Sequence, residues 1–134
     1  MGKKTPEWVK NIRFGDLVMV EWWDHSKREV RISKERVEKI KLDVPVVSFG
    51  VFLGVSGEEM QHIMVGRDIF RWLGGSDFDV DMTSIMIPAV KEVKVLKRSA
   101  LNKGYVEELR SAIKAGTARI IHRGHMVTFR RRTL

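Results

Sequence analysis

The stretch Val46-Val47-Ser48-Phe49-Gly50-Val51-Phe52-Leu53-Gly54-Val55 constrains this chain more than any other part of it. Its β-branched and aromatic residues suit a pleated, half-buried backbone. Gly50 and Gly54 interrupt it where a strand bends or another backbone comes close. The neighbouring segments are also short strands. Leu17 to Trp23 follows the turn Gly15-Asp16 and ends at Asp24-His25-Ser26. After a turn at Ser56 to Glu59, Met60 to Val65 pairs back as a hairpin, and Asp68 to Trp72 extends it past a bulge at Gly66. Asp77 to Met82 alternates acidic and apolar residues, so one face is expected in water. Ser84 to Pro88 and Val90 to Leu96 are two further expected strands, Val93 and Val95 facing one way and Lys94 and Leu96 the other.

Thr5-Pro6-Glu7 spells the start of a helical turn, with Thr5 as N-cap and Pro6 in the first position. Residues 27–42 read two ways. Val30 and Ile32 alternate as in a strand, whereas Ser33 can cap a short helix from Lys34 to Lys41, with Ile32 and Val37 at hydrophobic-staple spacing; the helix is preferred. Tyr105, Val106, Leu109, Ala112 and Ile113 recur at helical spacing from Asn102 to Ala115, and Gly116 is placed to stop that helix. Residues 117–134 mix Ile120, Ile121, Met126, Val127 and Phe129 with arginines. That apolar content predicts a hairpin turning at Arg123-Gly124, with the arginine run fraying at its end. The expected fold is mainly β (α+β): five to six short strands in a small barrel or strongly bent sheet, then a C-terminal helix and basic extension. Residues 1–98 form the barrel domain with its lead-in. Residues 99–134 form the helix and tail, packing on the barrel or extending from it.

The 134 residues fit one domain that can bury a core without cross-links. There is no Cys, so no disulfide framework supports it. The N-terminal lysines are not followed by an apolar run, as a signal peptide would require, and no apolar stretch is long enough for a membrane-spanning helix. The expected setting is the cytoplasm. The net charge of +8 is unevenly placed: residues 91–134 carry +9 and residues 1–90 carry −1. Such asymmetry points to a polyanionic partner, or to solubility alone.

The segment from Gly15 to Leu96 resembles SH3-like small barrels and, within them, the Sm-like pattern. The resemblance rests on the aromatic strand, the stretch Ser48-Phe49-Gly50-Val51-Phe52-Leu53-Gly54, the hairpin partner Gln61-His62-Ile63-Met64-Val65, and the closing strands around Ile85-Met86-Ile87-Pro88 and Val90 to Leu96. The chain is also similar to short uncharacterised proteins of phages and prokaryotic mobile elements, through Val20-Glu21-Trp22, Asp24 to Ser26 and Ile87-Pro88. The first resemblance implies a small barrel and raises the analogy of a ring oligomer. It does not extend to uridine binding. Gly57-Glu58-Glu59-Met60-Gln61 and Ile87-Pro88-Ala89-Val90 stand where the Sm-type base-binding signatures would be, and neither reproduces them.

Seven cations are candidates for phosphate contact: Arg110, Lys114, Arg119, Arg123, Arg130, Arg131 and Arg132. A guanidinium presents two parallel N–H donors that match phosphate oxygens. The alternative is a solvated helix face followed by a charged end. Trp22 and Trp23 are adjacent on a strand and must face opposite sides, one into the core and the other available for stacking or packing. His122 and His125 are spaced as metal ligands can be, but no Cys or His-Glu-x-x-His pattern accompanies them. Asp77, Asp79 and Asp81 resemble the start of a calcium loop, but Met82 and Pro88 stand where Gly and Glu are needed. No metal or other cofactor is expected. Nucleophile-elbow, phosphate-loop and dinucleotide-binding motifs are absent. The function expected is non-enzymatic nucleic-acid binding, DNA or RNA undetermined, through backbone contacts. The alternative is an oligomeric structural or adaptor protein with Phe52, Phe70 and Trp72 at subunit contacts. A small enzyme of another type is a third reading.

Overall fold

The computed structural model describes residues 5–24, 44–71 and 77–122. Helix α1 (Glu7–Lys10) leads into β1 (Leu17–Asp24), β2 (Val44–Ser56), β3 (His62–Arg71) and β4 (Phe78–Met86). A 3-10 turn (Ile87–Ala89), β5 (Val90–Lys97), α2 (Lys103–Ala115) and β6 (Ala118–His122) follow. The strands form one sheet in the order β5-β1-β2-β3-β4-β6. All neighbours are antiparallel except β4 and β6, which run parallel. The fold is therefore mainly β, with two helices. The sheet does not close into a barrel: β5 and β6 lie at its opposite ends, and β6 takes the outer edge of β4.

The glycines in β2 bend the sheet. Opposite Val65 and Ile63 of β3 stand Phe52 and Val55, so β2 carries one residue too many at Leu53-Gly54. Gly54 has φ +102°, a conformation that L side chains rarely adopt. The bulge changes the phase of the strand, so Phe52 and Val55 face one core while Leu53 faces another. Gly50 serves a different need: a Cβ there would lie 2.4 Å from the carbonyl oxygen of Gly66. A second bulge, between Gly66 and Asp68, lets β3 continue to Arg71.

Two apolar clusters result. The first gathers Val18, Val20, Trp22, Phe52, Ile63, Val65, Ile85 and Ile87, with Val93 and Val95 of β5 against it. It draws on all five strands from β1 to β5, and α1 adds Val9, Ile12 and Trp8. The three-residue 3-10 turn joins β4 directly to β5, although three strands separate them in sheet order, which shows how far the sheet curls. The second cluster lies on the opposite face, where Leu109 and Ala112 of α2 pack on Leu53, Phe78, Val80 and Met82. Helix α2 starts where Asn102 Oδ1 accepts a hydrogen bond from the Tyr105 amide (2.8 Å) and ends at Gly116, φ +76°.

A buried carboxylate ties the ends of the five-strand unit. Asp16 accepts from the backbone amides of Arg13 and Ser99 and from the Arg98 guanidinium, each at 2.9 Å. Burial pushes its pKa upward, but the two amide hydrogen bonds and Arg98 outweigh it and hold the carboxyl below its ordinary value.

Four expectations are corrected. Residues 84–86 complete β4 and Ile87-Pro88-Ala89 is a 3-10 turn, because Pro88 cannot donate to a strand ladder. Pro6, not Thr5, is the N-cap of α1, and the Thr5 hydroxyl lies 3.4 Å from Gln61 Oε1. The acidic face of β4 is not simply solvated, since β6 lies beside it and the Asp79 side chain is only 13% exposed. Phe52 is buried, because it falls on the core-facing side of β2 just before the bulge. The helix expected at 34–41, Trp72, and the turn at Arg123-Gly124 lie outside the described residues. The segment expected as the first arm of a hairpin is β6, paired in parallel with β4.

Candidate nucleic-acid interface

Of the seven cations singled out in the sequence, three belong to the described residues. Arg110 and Lys114 are exposed and lie four residues apart on α2, on one helical face. Arg110 is partly engaged, its guanidinium carbon 4.7 Å from the Phe14 ring centroid. Arg119 is held more firmly. Its Nε and Nη2 donate to the two Asp79 oxygens at 3.0 and 2.7 Å, a bidentate pair that raises the Arg119 pKa further. Register places Asp79 directly opposite Arg119, so the sheet pairing assembles this fork. Arg123, Arg130, Arg131 and Arg132 lie outside the described residues.

A second surface was not recognised from the sequence. On β1, Val18, Val20 and Trp22 point into the first core, leaving Leu17, Met19, Glu21 and Trp23 on the outer face. Trp22 Nε1 donates to Ser48 Oγ at 2.9 Å, which satisfies the buried indole and fixes which tryptophan is core. Register lines up three strands. Met19 stands between Phe49 of β2 and Lys94 of β5, and Glu21 stands between Val47 and Glu92. Leu17 stands between Val51 and Lys97. Phe49 is 55% exposed, Val47 49% and Trp23 38%. Lys91 Nζ lies 6.0 Å from the Trp23 ring centroid. Lys91, Lys94 and Lys97 are all exposed along the free edge of the sheet.

The outer face thus carries aromatic side chains beside a row of lysines. The aromatics offer flat stacking area, and the lysines offer point charges for phosphate. Glu21 and Glu92, cross-strand neighbours, are acceptors only when ionised and repel phosphate. The signal that could have located this face is the alternation in β1 and β5, together with lysines every third residue in β5. It is hard to read because β1 is apolar on both faces.

Other concave features carry less chemistry. A cavity of about 170 Å³ is lined by Ser56, Gly57, His62, Met64, Met82 and Ser84. His62 Nδ1 lies 2.9 Å from the Met60 carbonyl oxygen, so Nδ1 is the donor. A groove of about 450 Å³ between α2 and the start of β6 includes Glu107, Glu108 and Thr117. Among the described residues, no group of three or more His, Asp or Glu side chains is placed to hold a metal ion. No described helix is long and apolar enough to cross a membrane. No protein-family model, curated protein or solved structure matches this chain.

Proposed function

We propose that this protein is a non-enzymatic nucleic-acid-binding protein of the cytoplasm, built on an SH3-like or Sm-like unit. The observation that carries the reading is the row Lys94–Met19–Phe49 on the exposed face of β5, β1 and β2. It puts a cation, an apolar seat and an exposed ring side by side. The charge distribution adds support, since the +9 of residues 91–134 includes the β5 lysines as well as the C-terminal arginines. Support for the SH3-like unit comes from the order β5-β1-β2-β3-β4, the bend at Gly54 and the 3-10 turn before β5. Arg110 and Lys114 remain candidates for backbone contact, as do Arg123, Arg130, Arg131 and Arg132. Arg119 would have to exchange Asp79 for a phosphate.

The test is fluorescence anisotropy with labelled single- and double-stranded DNA and RNA across a salt series. Binding should weaken linearly in log[salt], with a slope of about −0.7 per neutralised phosphate on single strands and about −0.9 on duplex DNA. Combined Lys91→Gln, Lys94→Gln and Lys97→Gln substitution should flatten the slope. Absence of binding to any of the four nucleic acids at low salt rejects the reading. One observation favours an oligomeric protein instead: Phe70, 63% exposed, lies on β3 toward the other end of the sheet from that row. Concentration-dependent sedimentation that Phe70→Ser abolishes would establish that alternative.

A further inference from the structure

Resting on the nucleic-acid reading, the geometry points to a single strand, not a duplex, as the ligand of the outer β5–β1–β2 face. We infer that bases stack on Phe49 and Trp23 while the phosphates follow Lys91, Lys94 and Lys97.

Three features carry the inference. The first is the form of the surface. It is the face of a sheet whose aromatic side chains stand out from it, with no described helix or paired ribbon projecting to enter a groove. Base faces become accessible to aromatic rings only when the strand is unpaired and unstacked. The second is spacing. Met19, beside Phe49, and Trp23 are four residues apart on β1, about 13 Å along an extended strand. An unstacked strand covers that distance in a few nucleotides, so the two rings can receive different bases of one ligand. The third is the placement of charge. The three lysines line the free edge of the sheet and the rings lie inward of them, on β1 and β2. Glu21 falls between Met19 and Trp23 on β1, where a phosphate would be repelled and a base edge can donate a hydrogen bond, while Glu92 stands on the β5 edge itself, between Lys91 and Lys94. Phosphates are thereby drawn to Lys91, Lys94 and Lys97, which outnumber Glu92 on that edge, with bases directed inward.

The experiment uses the full chain and 5′-fluorescein-labelled 12-nucleotide DNA, single-stranded and as the 12-bp duplex, at one fixed low salt concentration. The single strand is expected to bind at least tenfold more tightly than the duplex. Phe49→Ser and Trp23→Ser are each expected to weaken the single strand about 5- to 100-fold, the range for loss of one stacked base, and to leave the duplex unchanged. Phe49→Leu, which keeps the apolar seat without the ring, should weaken it similarly. Thermal melts of each variant, read by circular dichroism, report whether the fold is kept. Single-strand binding that is unchanged in folded Phe49→Ser and Trp23→Ser overturns the inference while leaving nucleic-acid binding intact. Equal affinity for duplex and single strand also overturns it. Binding of neither DNA form, nor of the single-stranded and duplex RNA of the same sequence, rejects both this inference and the reading beneath it. A wild-type dimer in sedimentation that Phe49→Ser converts to monomer, without single-strand binding, assigns the face to a second copy of the chain and overturns the inference.

Discussion

The two faces of the β5–β1–β2 unit are made of similar residues and have opposite fates. Inward, Val18, Val20, Trp22 and Phe52 are almost wholly buried, and the one polar group among them, the Trp22 indole, is hydrogen-bonded to Ser48. Outward, Met19, Trp23, Val47 and Phe49 are comparably apolar, yet Phe49 keeps 55% of its surface in solvent. The lysines that solubilise this outer side come from β5, at the margin of the apolar residues, and Glu21 stands among them. Inner apolar residues are explained by the core they fill. Outer ones are not, and a contiguous exposed apolar patch usually marks an interaction surface.

The contrast can be broken most forcefully on β2, where Phe52 and Phe49 are three residues apart. Phe52→Ala should cost about 3–5 kcal/mol in chemical denaturation, since it empties a filled position in the first core. Next, Gly50→Ala should cost about 1–3 kcal/mol, because its methyl would press on the Gly66 carbonyl and the β2–β3 pair would have to separate. Asp16→Ala should cost about 1–3 kcal/mol for each amide, of Arg13 and Ser99, left without an acceptor. Its pH signature has a definite sign. The folded-state pKa of Asp16 lies below the ordinary 3.8, so its stabilisation is complete above that pH and is lost as the pH falls through 3.8 toward the folded-state value. An acid-unfolding profile of Asp16→Ala should therefore lack that part of the wild-type slope below about pH 4. Smallest of all, Phe49→Ala should change stability by no more than about 0.5 kcal/mol, as for an ordinary surface site. A large destabilisation from Phe49→Ala would show that the outer face is structural and would remove the contrast.

Several elements were legible because their signals are local. Asn102 and Gly116 bracket α2 by chemistry that needs no partner: an accepting side chain at one end and a left-handed residue at the other. Gly54 in an apolar run announced a bend or a close approach, and the structure makes it a bulge. The bulge after Gly66 was legible from the glycine alone: Ile63, Val65 and Ile69 keep one alternation in the sequence, yet the bulge turns Ile69 to the other face. The strand assigned to Ser84–Pro88 failed at its end because a proline turn and a strand terminus have the same apolar composition. The acidic face of β4 was assigned to water because β6, which lies beside it and brings Arg119 to Asp79, arrives from 40 residues later in the chain. The basic C-terminal third was legible as charge, but not that Arg119 is spent on Asp79. An ion pair across a parallel register depends on the register itself, which no spacing in the sequence encodes.

By itself, the sequence determined the strand-rich fold class, the bends, the helix with both its ends, and the concentration of positive charge after residue 90. Each follows from intrinsic backbone preference or from composition. Only the tertiary structure decided that Trp22 is core and Trp23 is surface, that Phe52 is unavailable for contacts, and that Lys94, Met19 and Phe49 form one row. The reason is physical: alternation along a strand separates two faces but does not say which is buried when both are apolar. That choice is made by the elements packing against the strand, and here Val93, Val95, Ile63, Val65 and Ile85 converge on one side of β1.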